Sequence, residues 1–230
     1  MQRQFTGFPQ EGFTFLSDLA REQNKAWFEE NKPIYEDSVR WPLMALVADL
    51  TTELTKRKLP FQGDPKRALF RIHRDVRFAR DKSPYKTNAG AVLTRSGSKS
   101  TPGLLYIHMQ PGRCFTAAGF YRPDPEPLKH LRDAIVANPK RYKTTLTKLA
   151  DRNLHLGVDE DALKRNPRGY DTIEDPVISD AVRRRSFIVR HPLTQQEAAS
   201  ATLVERLADF AASALPLLDF GWHALDHATA

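Results

Sequence analysis

The chain has 230 residues, 40% hydrophobic and 27% charged, with a formal net charge of +7, the proportions of a globular protein with room for a large core. No run approaches the roughly 18 apolar residues of a membrane span, and the start "MQRQFTGFPQEGFTFL" lacks the basic-then-apolar order of a secretory leader. Cys114 is the only cysteine, which excludes an internal disulfide and Cys-rich metal centres, so a cytoplasmic protein that is not membrane-bound is the expectation.

The first quarter reads as helical. Phe13, Leu16, Leu19 and Ala20 recur at three- and four-residue spacing, which makes one apolar stripe. Asn24 is placed to cap a second helix carrying Trp27, Phe28, Tyr35 and Val39. Leu43, Leu46, Val47, Leu50 and Leu54 line a third. Pro42 predicts a break or kink near Trp41, because an interior proline costs a helix ~3 kcal/mol, or else it opens a new segment.

After Gly63-Asp64-Pro65 the pattern changes. Segments 68–78, 89–95, 104–110 and 113–121 are short and rich in strand formers. "SGSKSTPG" at 96–103 is a flexible loop by composition. Gln110-Pro111-Gly112-Arg113 is a turn between neighbouring strands. Connections this short are those of an antiparallel meander. Helices return at Asp124-Pro125 and at Asn138-Pro139. Residues 186–190 form one late strand. Thr194 and Glu197 fit a capping box opening a helix through Val204, Leu207, Phe210 and Ala211. The fold class is therefore α+β: an antiparallel sheet of about four to six strands packed with N-terminal and C-terminal helices. Residues 1–230 read as a single domain, helical over 9–58, β-rich over 66–122, and mainly helical over 123–220 with one late strand.

The basic excess is concentrated in the middle. Residues 66–86 hold eight Lys/Arg against two Asp/Glu, and residues 87–122 add four bases and no acid. A basic folded centre reads as a site or a surface, not as a disordered arm. Within "FRIHRDVRFARDKSPYKTN", a strand would put Phe70, Ile72, Val76 and Phe78 on one face and Arg71, His73, Asp75 and Arg77 on the other. Arg74 then falls on the apolar side and requires a carboxylate, a carbonyl, a ligand or a bulge. Lys82 and Lys86 follow on an irregular segment, because Pro84 forces Ser83 into extended or turn geometry.

Three readings of this segment compete. In the first, Arg71, Arg74, Arg77, Lys82, Lys86 and Arg122 bind a small phosphate- or carboxylate-bearing ligand. Asp75, Asp81, His73 and Tyr85 support them from behind. Asp75 or Asp81 is then the candidate base or Mg²⁺ ligand if chemistry occurs. In the second, the same bases track nucleic-acid phosphates while Phe78, Tyr85 or Tyr106 stack on bases. In the third, the arginines and aspartates form a structural network of an interaction or scaffold domain. No nucleotide-cradling glycine motif is present. His223 and His227 have a helical metal-ligand spacing without the rest of a metalloprotease signature, and no metal site or cofactor is assigned.

The run Arg-Asp-x-Arg-Phe-x-x-Asp-Lys-x-Pro-Tyr-Lys, carried by Arg74, Asp75, Arg77, Phe78, Asp81, Lys82, Pro84, Tyr85 and Lys86, resembles the family called domain of unknown function 2461. So do "GFYRPDPEPL" at 119–128, "NPRGYD" at 166–171, "SFIVRHPL" at 186–193 and the opening "FTGFPQEGFTFLSDLAREQNKAWFEENKPIYEDSV". One departure is Ala79-Arg80, where members often carry Ser-Lys: the charge is kept and a hydroxyl is lost. The resemblance implies one compact domain over nearly the whole chain and no particular chemistry.

Overall fold

A computed structural model describes residues 4–77 and 80–227. Phe78 and Ala79 lie outside the described residues, and with them Phe78's expected places on a strand face and on a stacking surface. Four strands, β1 (Ala89–Thr94), β2 (Leu104–Met109), β3 (Cys114–Phe120) and β4 (Phe187–Leu193), form one antiparallel sheet in the order β1-β2-β3-β4. The fold is α+β, as expected. The chain divides into two compact units, the first comprising Met1–Lys99, Leu105–Thr116 and Pro192–Asp209, the second Ser100–Leu104, Ala117–His191 and Phe210–Ala230.

The first unit begins with α1 (Gln10–Arg21), whose Phe13, Phe15, Leu16 and Leu19 are buried. Helix α2 (Lys25–Ile34) is capped by Asn24, whose side-chain oxygen accepts from the Trp27 N–H at 2.9 Å. The expected break at Pro42 does not occur, but the alternative does hold: Pro42 stands in the first turn of a new segment. The chain passes from α2 through a π-helical stretch, Tyr35–Arg40, into α3 (Trp41–Lys56), with α-region dihedrals held through Arg40 and Trp41. Burying Leu43, Leu46, Val47, Leu50 and Leu54 at about 1.5–3 kcal/mol each outweighs the ~3 kcal/mol cost of the proline. The wide turn absorbs the misfit that a kink would otherwise take.

Proline 42 has no N–H to give the carbonyl four residues back, that of Ser38. That carbonyl instead lies against α1 at Gly12, where an added Cβ would sit 2.1 Å from the oxygen. The Ser38 hydroxyl donates to Glu11 Oε2 at 2.5 Å and fastens the same contact. Gly12→Ala is therefore expected to destabilise the protein by about 1–3 kcal/mol through overpacking, read as a lower denaturation midpoint at an unchanged m-value.

Segment 68–78 does not form the continuous strand expected of it. Its described residues pair with other backbone in isolated antiparallel bridges, Leu69 with Ala91 and His73 with Tyr85, and not in a continuous ladder. Ile72 is buried while Phe70 is 41% exposed, so the two do not share a face. Asp75 Oδ1 accepts from the Arg77 N–H at 3.3 Å, and Asp81 Oδ1 from the Ser83 N–H at 2.9 Å. Such local bonds compete with a ladder for backbone donors. Strand β1 is buried along its whole length, whereas β2 alternates, with Leu105, Ile107 and Met109 buried and Tyr106 and His108 half-buried. The turn from Gln110 to Arg113 closes with an N–H···O bond of 3.0 Å, with Gly112 at φ +70°.

The second unit packs α4 (Pro125–Ala137), α5 (Pro139–Ala150) and α6 (Pro176–Arg183) with the ends of β3 and β4. Leu131, Ile135, Tyr142, Leu149, Ile178, Val182, Phe187 and Val189 are buried. The prolines at 125, 139 and 176 stand at helix starts, where their missing N–H costs nothing. The capping box at Thr194 and Glu197 is present in full, but it opens only one turn, α7 (Gln195–Ala198). The long helix α8 (Leu203–Asp226) starts afresh after it. Among the described residues, no helix is long and apolar enough to cross a membrane.

Candidate anion site on the first unit

The six cations expected to share a hollow do not all meet. Arg74, half-buried, pairs with Asp81, the carboxylate its position called for. Arg77 grips Asp75 with two bonds, Nε to Oδ1 at 3.0 Å and Nη2 to Oδ2 at 2.7 Å. Lys82 Nζ donates to the carbonyls of Val76 at 2.9 Å and Arg77 at 3.4 Å. Arg122 belongs to the second unit and pairs with Asp161. The side chains of Arg77 and Asp75 are 77% and 55% exposed, so this pair resembles surface ion pairs of small energetic weight and not the buried pair a structural network would need.

The aspartates are correspondingly poor candidates for proton transfer. The Arg77 guanidinium holds the Asp75 carboxyl below its ordinary range, with Arg71 adding to the effect. The Ser83 hydroxyl and the Arg74 guanidinium do the same, more strongly, to Asp81. A carboxylate whose charged form is so favoured is a weak base at neutral pH. His73 lies with its ring centroid 5.6 Å from Phe28 and 5.2 Å from Tyr85. Tyr85 itself is buried and stacked on Phe28 at 4.4 Å. Both therefore anchor the segment to α2.

One of the expected cations, Lys86, is instead joined by Lys99, which the sequence left in a loop, and the charge of Arg71 acts on both. Lys86 Nζ donates to the Arg71 carbonyl at 2.8 Å, and Lys99 Nζ to the Leu69 carbonyl. Both ammonium groups lie near the exposed Phe70 ring, 5.5 Å and 4.7 Å from its centroid, within the range of cation–π attraction. Among the described residues, no carboxylate makes an ion pair with Arg71, Lys86 or Lys99. Burial, and then repulsion from Arg71, lowers the Lys86 pKa below that of an ordinary lysine. Burial, and then repulsion from Lys86 and Arg71, does the same for Lys99.

Lys99 reaches this place because the loop around it is ordered by its own polar groups. Thr94 Oγ1 donates to the Ser98 carbonyl at 2.9 Å, and Gly97 turns the chain at φ +77°. A composition of Ser, Gly and Lys carries no sign of that convergence.

Beside the cations, the Phe70 ring meets Tyr106 edge-on at 5.9 Å. The Tyr106 hydroxyl lies 2.9 Å from His108 Nδ1, and His108 Nε2 lies 3.0 Å from Gln110 Oε1. That amide oxygen can only accept, so Nε2 carries the proton and Nδ1 accepts from Tyr106. Phe115 stacks on His108 at 4.4 Å. Gly90 makes room for this arrangement, since a Cβ there would fall 2.8 Å from the Tyr106 oxygen.

Among the described residues, no group of three or more His, Cys, Asp or Glu side chains could hold a metal ion. His223 and His227 lie with ring centroids 4.0 Å apart, but His227 Nδ1 is 3.0 Å from the His223 carbonyl and donates to it. No match to the chain was found among curated proteins or among solved structures. The sequence pattern described as "Conserved hypothetical protein (DUF2461)" matches residues 11–220, and the chain belongs to that family.

Proposed function

We propose that the protein binds a small phosphate- or carboxylate-bearing ligand through Arg71, Lys86 and Lys99 at the rim of Phe70. The observation that carries this reading is the pair of ammonium groups of Lys86 and Lys99 beside the Phe70 ring, with the charge of Arg71 acting on both and, among the described residues, no acid in ion-pair contact with them. Like charges held together cost the folded state energy, and a bound oxyanion removes that cost. The arginine fork can present two parallel donors to an oxyanion, and each lysine adds a point charge. The two lysines are held by carbonyls of the same segment, so they are positioned before any ligand arrives.

Nucleic acid is the competing ligand for the same cations. Of its expected stacking residues, Tyr85 is spent on Phe28 and Tyr106 on His108, which leaves less aromatic surface for bases. Calorimetric titration with pyrophosphate at two salt concentrations tests the reading. One bound anion with a shallow salt dependence is the expected result. Absence of pyrophosphate binding, together with oligonucleotide binding whose log K falls steeply with log salt, would replace it with a nucleic-acid surface.

A further inference from the structure

We propose that the second unit carries a separate binding cleft for an oxyanion attached to a small apolar body. The cleft encloses about 570 Å³ and is lined by Arg122, Arg132, Arg185, Asp161, Leu128 and Leu163, with two prolines at its edge. That volume lies within the ~300–1,000 Å³ of small-molecule sites. It involves none of the cations of the first unit.

The residues that face it come from four places. Leu128 and Arg132 stand four apart on α4 and so share a face of that helix. Arg122 follows β3 two residues past its end, and Arg185 lies between α6 and β4. Asp161 and Leu163 come from the loop ahead of α6, tied down by the Leu163 N–H donating to the Arg183 carbonyl at 2.8 Å. Three guanidiniums face one carboxylate there. Asp161 pairs with Arg122, Asp159 adds a carboxylate at the backbone of Arg185, and, among the described residues, Arg132 and Arg185 are in no ion pair with an acid.

One feature shows a polar group that protein leaves unsatisfied, and a second shows the arginines held in place. Arg132 donates from Nη2 to the Arg184 carbonyl at 2.9 Å, while its Nε is buried and has no hydrogen-bond partner. A buried donor left unmade costs the molecule its desolvation and calls for an explanation. Burial pulls the Arg132 pKa down, and the charge of Arg185 pulls the same way. An oxyanion in the cleft supplies the missing countercharge to the Arg132 guanidinium.

The second feature is backbone geometry. Arg122 has φ +42°, a region that non-glycine residues seldom occupy and that is retained where the surroundings hold it. Its N–H is fixed by the Ser186 hydroxyl at 3.1 Å. The N–H groups of Arg185 and Ser186 both donate to Asp159 Oδ2, at 2.5 and 2.9 Å. Arg122 and Arg185 are thus held on rigid backbone from two sides. The leucines and prolines supply an apolar wall, so a purely inorganic anion leaves most of the cleft unused, and an aryl or alkyl phosphate or carboxylate fills it.

The test uses the full chain, with phenyl phosphate as probe and backbone amide shifts of Leu128 and Leu163 as the local readout. Saturable shifts at both residues are expected, stronger with phenyl phosphate than with inorganic phosphate. Arg185→Gln, at an exposed position, and Arg132→Gln are each expected to weaken them by about tenfold or more. Lys99→Ala leaves them unchanged, which separates this cleft from the first unit's cluster. The proposal is overturned if neither residue shifts with phenyl phosphate at about 10 mM, a concentration that would reveal even millimolar affinity, or if folded Arg185→Gln binds as well as the wild type.

Discussion

Lys99→Ala is expected to weaken pyrophosphate binding by about tenfold or more without lowering the melting temperature. A charge-assisted hydrogen bond to an anion contributes about 1.5–3 kcal/mol, which is at least a tenfold change in affinity. Stability should respond in the opposite sense from that of an ordinary structural lysine. Lys99 loses basicity on folding because it is partly buried beside Lys86 and Arg71. Its folded pKa therefore lies below the ~10.4 of an unfolded lysine. Below the folded value both states carry the charge, and the folded state bears the full repulsion. As pH rises from the folded value towards the unfolded one, the unfolded chain binds more protons and stability rises. At neutral pH the ammonium is thus a burden that its bond to the Leu69 carbonyl and its contact with the Phe70 ring offset. Removing it leaves the midpoint level or raises it. A clear fall in midpoint with unchanged pyrophosphate affinity would make Lys99 a structural clasp instead.

Gly119→Ala is expected to cost ~3–5 kcal/mol, a drop in melting temperature on the order of 10 °C for a chain of this size. Two penalties coincide at this residue. Gly119 sits at φ +132°, and a Cβ there would lie 2.0 Å from the Phe187 carbonyl oxygen. Neither the strand backbone nor the carbonyl can yield as a flexible side chain would. Gly112 is the internal control: at φ +70° it also has a left-handed backbone, but nothing lies within 4 Å of its missing Cβ. Gly112→Ala therefore carries only the conformational cost of about 1–2 kcal/mol. Equal losses at the two positions, measured by thermal melts, would show that the close approach at Phe187 contributes nothing.

What could be seen in the sequence was what neighbouring residues decide between themselves. The Asn24 cap, the turn at Gln110–Arg113, the proline-led helix starts and the Thr194–Glu197 box all rest on hydrogen bonds spanning a few residues. The π-helical stretch was not visible, because it depends on how the α3 leucines must face once Pro42 has removed a bond. The strand expected at 68–78 failed for a related reason: Asp75 and Asp81 capture backbone donors that a ladder would have used.

The candidate site was half visible. A dense run of bases marks the segment on which the proposed site is built, and there Lys86 Nζ reaches the Arg71 carbonyl. Four of the expected cations are instead taken up by acids or carbonyls. Which arginine meets which aspartate is a matter of side-chain reach in three dimensions. Lys99, 13 positions beyond Lys86 in a loop of small residues, completes the cluster only through the fold.

The most direct test of the Arg71–Lys86–Lys99 cluster is a titration of the lysine side chains by carbon-detected NMR, with and without pyrophosphate. Without the anion, Lys86 and Lys99 should titrate below the remaining lysines, and saturating pyrophosphate should move both back towards ordinary basicity with measurable proton uptake. Two lysines that titrate with the rest of the chain and ignore pyrophosphate would contradict the assignment of an anion site at Phe70.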